Sequence, residues 1–183
     1  MIRSLLLCAI LFQAGPQTAP KAVIDNNRVA VWDVTDPTTA QPFDAVVVSL
    51  SGRVAFLPKG TTPKIEGRSM VIDLKDDPVA PIANTTGYPL AFPRPGSNKI
   101  LENARVIVWD YTWTPGVATP MHFHDKDVVV VYLEDGDLKS TTPDGRVVVN
   151  PYKFGMVRFN VRDRAHTETL VLGKQHAIIT ELK

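Results

Sequence analysis

The chain has 183 residues with a formal net charge of +1, and 44% of its residues are hydrophobic and 21% charged. This composition is typical of a folded globular protein of one medium or two small domains, and it excludes an intrinsically disordered chain. Because the charge is balanced and no basic block occurs, we expect no nucleic-acid partner. Cys8 is the single cysteine, so no disulfide bond can form within the chain.

The N-terminal residues have the pattern of a cleavable targeting segment. Arg3 supplies a positive charge, residues 5–12 form an apolar run too short to cross a bilayer, and polar and small residues follow up to Ala19. We therefore predict a signal peptide over residues 1–19, no membrane span, and a secreted or periplasmic protein. The alternative interpretation is a buried first strand or a short helix at a membrane surface.

Two sequence blocks occur twice in the same order, which indicates an internal duplication. The block VAVWDVT at residues 29–35 corresponds to VIVWDYT at 106–112, and DAVVVSL at 44–50 corresponds to DVVVVYL at 127–133. The interval between the blocks is longer in the second copy, where it contains His122 and His124, and it has no histidine in the first copy. Any chemistry is therefore predicted to belong to the second half.

Short apolar runs bounded by Gly, Pro, Asp and Asn predict a succession of β-strands. In the second half they are expected near residues 104–113, 120–124, 127–133, 137–141, 145–149, 156–161, 166–172 and 175–182. The dipeptides Asp135-Gly136 and Asp144-Gly145 are hairpin signals, and no long stretch keeps a helical period. The predicted fold class is all-β, a sandwich or small barrel.

These patterns divide the chain into four predicted regions. The signal peptide is followed by a degenerate copy at 22–75, a Pro-rich linker at 76–103 and the histidine-bearing copy at 104–183. A long loop in a compact protein is uncommon unless it is functional or disordered. The linker is expected to pack on the barrel through Tyr88 and Phe92. Each half is small for an independent core, so the two copies are expected to pack together.

His122 and His124 are the first candidate metal ligands. Alternate side chains of an extended strand share a face, so both imidazoles point one way and Phe123 points the other. Neutral imidazole is the commonest metal ligand in proteins. His166 follows a bend at residues 162–164, and on a later antiparallel strand it is the natural third ligand.

These residues match two sequence motifs, and through them the chain resembles the cupin superfamily. The first motif, Gly-x5-His-x-His-x3–4-Glu-x6-Gly, is matched by Gly116, His122, His124 and Gly136. The second, Gly-x5-Pro-x-Gly-x2-His-x3-Asn, is matched at its first glycine and its histidine by Gly155 and His166. The resemblance covers residues 104–183, and it implies an RmlC-like jelly-roll β-barrel with a metal site inside, here in two tandem repeats.

The chain departs from both motifs. Val161, Asp163 and Leu170 replace the Pro, Gly and Asn of the second motif, and the glutamate of the first would fall at Val128 or Val129. Three interpretations stay open: three histidines with open positions for water or substrate, as in catalytic metal sites; a substitute carboxylate; or loss of the metal, with the histidines kept as pocket groups. The candidate carboxylates are Glu168, Asp125 and Asp127.

Other polar and aromatic residues have weaker assignments. His176 is expected to be a core or rim residue and not a ligand, and the tryptophans at 32, 109 and 113 are expected to be core or interface aromatics. Tyr132 and Glu134 share the strand parity of the histidine pair, so they are candidates for lining the same cavity, although Glu134 abuts a turn. Arg158 and Arg162 are candidates for attracting an anionic substrate.

The resemblance implies several activities, among them dioxygenase, isomerase and decarboxylase, and it does not choose among them or exclude a non-catalytic binder. We predict a secreted or periplasmic protein that binds a divalent metal (iron, manganese, zinc, nickel or copper) through His122, His124 and His166. It would bind or transform a small polar organic molecule such as an organic acid. The alternative is a non-enzymatic β-barrel for binding or assembly that has lost its metal. A homodimer is the candidate assembly.

Overall fold

A computed structural model describes residues 22–35, 40–64, 66–75 and 79–183 of the chain. The predicted signal peptide at 1–19 lies outside these residues, so it stays a prediction. No helix in the described part of the chain is long and apolar enough to cross a membrane.

The described residues form antiparallel strands, in agreement with the predicted all-β class. Their bounds are β1 Ile24–Asp25, β2 Val29–Thr35, β3 Asp44–Ser49, β4 Val54–Leu57, β5 Arg68–Leu74, β6 Ser97–Glu102, β7 Val106–Thr112, β8 His122–His124, β9 Val128–Tyr132, β10 Gly136–Thr141, β11 Val147–Tyr152, β12 Val157–Asn160, β13 Arg164–Gly173 and β14 His176–Leu182. Each strand predicted for the second half is present. Strand β6 lies within the segment assigned to the linker, where no strand was predicted.

The strands form three sheets. The N-terminal sheet has the order β1-β2-β5-β3-β4, the C-terminal sheet has the order β6-β7-β14-β9-β12, and the four-stranded sheet has the order β11-β10-β13-β8. The C-terminal sheet is the middle layer, because alternate residues of its strands are buried on opposite faces. One face, with Val108, Val129 and Ile178, packs against the N-terminal sheet. The other face, with Trp109, Val130 and Ile179, packs against the four-stranded sheet.

The N-terminal and C-terminal sheets correspond strand by strand. Each repeated sequence block occupies the same place in its sheet, β2 matching β7 and β3 matching β9. Trp32 pairs with Val71, and its Nε1 donates to Asp73 two residues further on, at 2.8 Å. Trp109 pairs with Ile179 and donates in the same way to Glu181, also two residues further on, at 2.8 Å. This correspondence agrees with an internal duplication, which itself stays a prediction.

The two predicted hairpin signals have different outcomes. Asp144-Gly145 joins β10 to β11, which pair as an antiparallel hairpin. Asp135-Gly136 makes no hairpin, because β9 and β10 belong to different sheets and the chain crosses between layers there. Gly136 is instead required by close packing, since a Cβ at this position would collide with the Lys174 carbonyl oxygen.

Candidate metal centre

Strands β8 and β13 place three histidines on one inward face of the four-stranded sheet. His122 lies directly opposite His166, and His124 lies opposite Arg164. Residues opposite each other in an antiparallel pair share a face, and so do residues two apart on one strand. Glu168 therefore projects inward beside His166. This register brings together the predicted ligands of two distant sequence segments.

The three imidazoles form a buried cluster. The exposed fractions of His122, His124 and His166 are 2%, 5% and 8%, and their ring centroids lie 4.8 to 5.1 Å apart. One ligand nitrogen from each ring lies within 4.8 Å of the others. Among the described residues, this is the one group of three or more His, Cys, Asp or Glu side chains close enough to hold a metal ion.

The hydrogen bonds of the rings fit a metal-binding role. Since a carbonyl oxygen only accepts, His122 Nδ1 donates to Pro120 O at 2.8 Å, so His122 Nε2 keeps a lone pair, which accepts from Arg94 Nη1 at 3.0 Å. An outer contact such as the one to Pro120 orients the ligating histidines of metal sites. Both ring nitrogens of His124 are buried without a hydrogen-bond partner. An unsatisfied buried polar atom costs about 1–3 kcal/mol, and a bound ion would satisfy one of these nitrogens.

All three imidazoles are neutral at pH 7. Burial is the largest cause, and it lowers the pKa of His122 to about 3, with the neighbouring Arg94 and His166 lowering it further. Burial likewise lowers the pKa of His166 to about 4 and lowers that of His124 well below its ordinary value. Neutral rings keep the lone pairs that a metal ion requires.

Glu168 is a largely buried carboxylate at the edge of the cluster, with 15% of its side chain exposed. Its Oε1 lies 3.8 Å from His166 Nε2, and its Oε2 accepts from Trp113 Nε1 at 3.2 Å. Burial acts to raise the pKa of Glu168, but neighbouring basic groups, His166 in its protonated form and Arg94 among them, outweigh burial and lower it. Of the three candidate substitute carboxylates, only Glu168 lines the cavity beside the histidines. Asp125 pairs with Lys126 and Asp127 pairs with Arg28.

A cavity of about 160 Å³ lies next to the histidines. Arg94, Arg158 and Arg164 line it, and Glu168 is the one carboxylate in its lining. The remaining polar groups of the lining include Ser140, Asn150 and Asn160 together with the tyrosines at 132 and 152. With the imidazoles neutral, the lining carries an excess of positive charge, which favours an anionic ligand.

The segment between the two halves brings one of these arginines to the site. Ala91 N donates to Phe123 O, and Phe123 N donates to Pro89 O, both at 2.8 Å, so residues 89–91 run along the free edge of β8. Phe92 is buried and stacks on Trp109 at 5.1 Å between ring centroids. The predicted packing of this segment on the barrel through Phe92 is therefore confirmed, whereas Tyr88 is only partly buried.

Comparison with known proteins identifies the fold. No protein-family model matches the chain. A cupin 2 conserved barrel domain protein from Leptotrichia buccalis covers 93% of this chain and 91% of its own, with a TM-score of 0.50 and 10% sequence identity. The chain has the cupin fold. At this identity, the likeness concerns the fold alone.

Two further similarities are shorter. A cupin domain from Bordetella pertussis Tohama I is 27% identical and covers 50% of this chain and 97% of its own, with a TM-score of 0.44. The Beta-alanine degradation protein BauB of Pseudomonas aeruginosa is 47% identical over 45 residues. That match covers 25% of this chain and 47% of BauB, so the chain matches about half the length of this curated relative.

The cupin motif positions explain two local features. Of the two residues at which the motif glutamate would fall, Val128 lines the cavity, while Val129 is buried on the opposite face against the N-terminal sheet. An apolar side chain thus stands where a cupin carries its acidic ligand. Asp163, at the position of a motif glycine, has a φ of 62°. Aspartate tolerates this left-handed conformation better than most residues, so the bend before His166 is retained.

Some of the other candidate residues from the sequence line the cavity and others lie elsewhere. Tyr132 and Trp113 line the cavity, as does Arg158, while Glu134 does not. Arg162 reaches out of the cavity to Ala80 O at 2.6 Å. His176 pairs with Asp110 at 2.7 Å on the C-terminal sheet, in agreement with a rim position.

Sequence reasoning missed Arg94 and Arg164. Arg164 shares the strand parity of His166, which was a signal for an inward position. Nothing in the sequence near Arg94 indicated its role, because it lies in a segment without regular periodicity.

Proposed function

We propose that this cupin binds a divalent metal ion through His122, His124 and His166 and holds a small organic anion beside it. The observation that carries the proposal is the cluster of three buried, neutral imidazoles, one of which has no hydrogen-bond partner for either nitrogen. Iron, manganese, zinc, nickel and copper all accept imidazole ligands. Three protein ligands leave a coordination position open, and such an ion would act as a Lewis acid toward a carboxylate or carbonyl oxygen.

The charges of the cavity support an anion as its ligand. Three arginines face one carboxylate in the lining, and a bound cation would add to this positive excess. Guanidinium groups bind carboxylates through two parallel hydrogen bonds. Arg158 is exposed and Arg164 is partly buried. We therefore propose a small carboxylic acid as the ligand, which the arginines orient while the asparagines and tyrosines of the lining provide further hydrogen bonds.

Metal titration tests the first part. Chelator-treated protein is titrated with each of the five metals by calorimetry, and metal content is measured after dialysis. We expect one ion per chain in the wild type and none in His122→Ala/His124→Ala. His176→Ala is the matched control, because His176 lies outside the cluster, and it should bind as the wild type does. Absence of binding for all five metals both without and with added malonate, or binding retained in the double variant, would overturn the proposal.

A thermal-shift panel tests the second part. Metal-loaded protein is mixed with malonate, with β-alanine, and with the neutral analogue malonamide; β-alanine is included because of the name of BauB. We expect a carboxylate to raise the melting temperature while malonamide does not, and Arg164→Gln to remove the effect. Arg146→Gln, in the exposed β10–β11 turn, is the control. Equal shifts with malonamide and with the carboxylates would contradict an anion site.

A further inference from the structure

Arg94 is held in the metal centre by a rigid backbone. Pro93 and Pro95 flank it, and proline restricts the backbone on both sides. Arg94 N donates to Ser97 Oγ at 3.0 Å, and Ser97 N and Oγ both donate to Arg94 O, at 3.0 and 2.6 Å. These contacts hold the Arg94 backbone in place, so the guanidinium can change its partners by rotation of the side chain alone.

The Arg94 guanidinium occupies a built site inside the protein. Its side chain is 6% exposed, and its central carbon lies 4.0 Å from the ring centroid of Tyr111 and 4.7 Å from that of Phe92. Arg94 Nη2 pairs with Glu168 Oε2 at 3.5 Å. A cation over aromatic faces and beside a carboxylate is stabilised even when it is largely withdrawn from water.

The same guanidinium uses the lone pair that His122 would offer to a metal. His122 Nδ1 is occupied as a donor to Pro120 O, so Nε2 is its one available ligand atom. Arg94 Nη1 donates to this Nε2 at 3.0 Å. A metal ion cannot bind the Nε2 lone pair while that hydrogen bond exists. In addition, the guanidinium and a divalent cation would repel each other at such short range.

We propose that Arg94 is an internal competitor for the metal position, so that its side chain must leave His122 Nε2 before a metal ion binds there. This inference rests on the proposed metal-binding function. A second cavity of about 160 Å³, lined by prolines 89, 93, 95 and 120 with Leu90, adjoins both Arg94 and His122. This cavity provides space beside the site into which the side chain can rotate.

The competition links the metal to the anion. A ligand whose carboxylate takes the hydrogen bonds of Arg94 removes the competitor from His122, so anion and metal each strengthen binding of the other by the same factor. Arg94 thereby makes a stable metal centre depend on the presence of ligand.

Metal affinity in Arg94 variants tests the inference. Co²⁺ affinity is measured without added anion in wild type, Arg94→Met and the control Arg146→Met. We expect Arg94→Met to bind at least about tenfold more tightly, because one charge-assisted hydrogen bond no longer competes. Arg146→Met should match the wild type. Arg94→Lys keeps a positive charge opposite Glu168, but the single ammonium of lysine does not reach both Glu168 and His122. This variant should therefore also bind Co²⁺ more tightly than the wild type.

Removal of Arg94 also leaves Glu168 without its ion-pair partner, and the unpaired carboxylate could itself attract the metal ion. A second pair of variants separates this effect from the loss of competition at His122. Arg94→Met/Glu168→Gln is compared with Glu168→Gln alone, and competition at His122 predicts that the gain persists. A gain that needs Glu168 would overturn the competition, as would equal affinities in folded wild type and both Arg94 variants. Tight binding by Arg94→Met with none by wild type would support it. Absence of metal binding in every variant would overturn both the metal site and this inference.

Discussion

The N-terminal and C-terminal sheets have the same strand order and the same tryptophan–carboxylate contact, yet among the described residues only the C-terminal half carries a candidate site. In the N-terminal sheet, β2, β3, β4 and β5 follow one another directly along the chain. In the C-terminal sheet, the corresponding strands are separated by β8, β10, β11 and β13. These additional strands are the whole of the four-stranded sheet. The difference between the two halves is therefore one layer of the molecule.

This added layer contains the candidate metal ligands. His122 and His124 lie on β8 and His166 lies on β13, while the C-terminal sheet supplies the opposite wall of the cavity. Both halves contain a five-stranded sheet of the same strand order, and the candidate ligands lie on strands that occur in the chain between the members of the C-terminal sheet. The N-terminal sheet instead covers the other face of the C-terminal sheet, where side chains of both sheets form one hydrophobic core.

Deletion of the N-terminal sheet is expected to have the largest effect on stability. A fragment of residues 79–183 would expose the apolar face of the C-terminal sheet, including Val108, Val129, Val131 and Ile178, which are fully buried in the whole chain. Burial of each such side chain contributes about 1.5–3 kcal/mol. We expect the fragment to aggregate or to lack a cooperative thermal transition, as measured by size-exclusion chromatography and circular dichroism.

Supply of residues 22–78 as a separate chain should restore a soluble complex, and this is the control for the fragment. A monomeric fragment that melts cooperatively by itself would show that the four-stranded and C-terminal sheets are sufficient for folding.

Core substitutions in the two interfaces should separate stability from metal binding. Met70 lies between the N-terminal and C-terminal sheets, and Leu138, on β10 of the four-stranded sheet, packs against the C-terminal sheet. Each is 1% exposed, so Met70→Ala and Leu138→Ala should both lower the free energy of unfolding by about 2–5 kcal/mol. Only Leu138→Ala should also weaken Co²⁺ binding, because β10 pairs with the strand that carries His166. Denaturant titration and calorimetry measure the two effects, and equal loss of affinity in both variants would contradict separate roles for the layers.

The smallest expected effect concerns the carboxylates that accept from Trp32 and Trp109. Burial raises the pKa of Asp73 and of Glu181, and the hydrogen bond from each tryptophan offsets this rise only in part. When folding raises the pKa of a carboxyl group, the protonated group favours the folded state at pH values below its unfolded pKa. This contribution to stability is lost as the pH rises through its folded pKa. Glu181→Gln and Asp73→Asn keep the acceptor oxygen without the charge.

Each of these substitutions should therefore raise the melting temperature at pH 7, by about 2–4 °C, the shift that about 1 kcal/mol gives in a chain of this size. The difference from wild type should shrink as the pH falls to 4. Thermal melts between pH 4 and pH 8 measure this, and a constant difference over the range would contradict the carboxylate charge as the cause. A higher melting temperature in only one of the two variants would show that the Trp32–Asp73 and Trp109–Glu181 contacts are not equivalent.

The sequence by itself determined the strands of the second half, the all-β class and the histidines that come together. These features depend on local alternation and on motif spacing, both of which are written along the chain. It also indicated Glu168 as a neighbour of His166, because residues two apart on a strand share a face.

Only the tertiary structure decided which other groups reach the histidines. Arg94 approaches His122 because residues 89–91 run along the edge of β8, and no periodicity in that segment indicates such pairing. The Asp135-Gly136 dipeptide has the composition of a hairpin turn, yet its strands belong to different sheets. Pairing between distant segments depends on the packing of whole layers, and local residue preferences do not contain it.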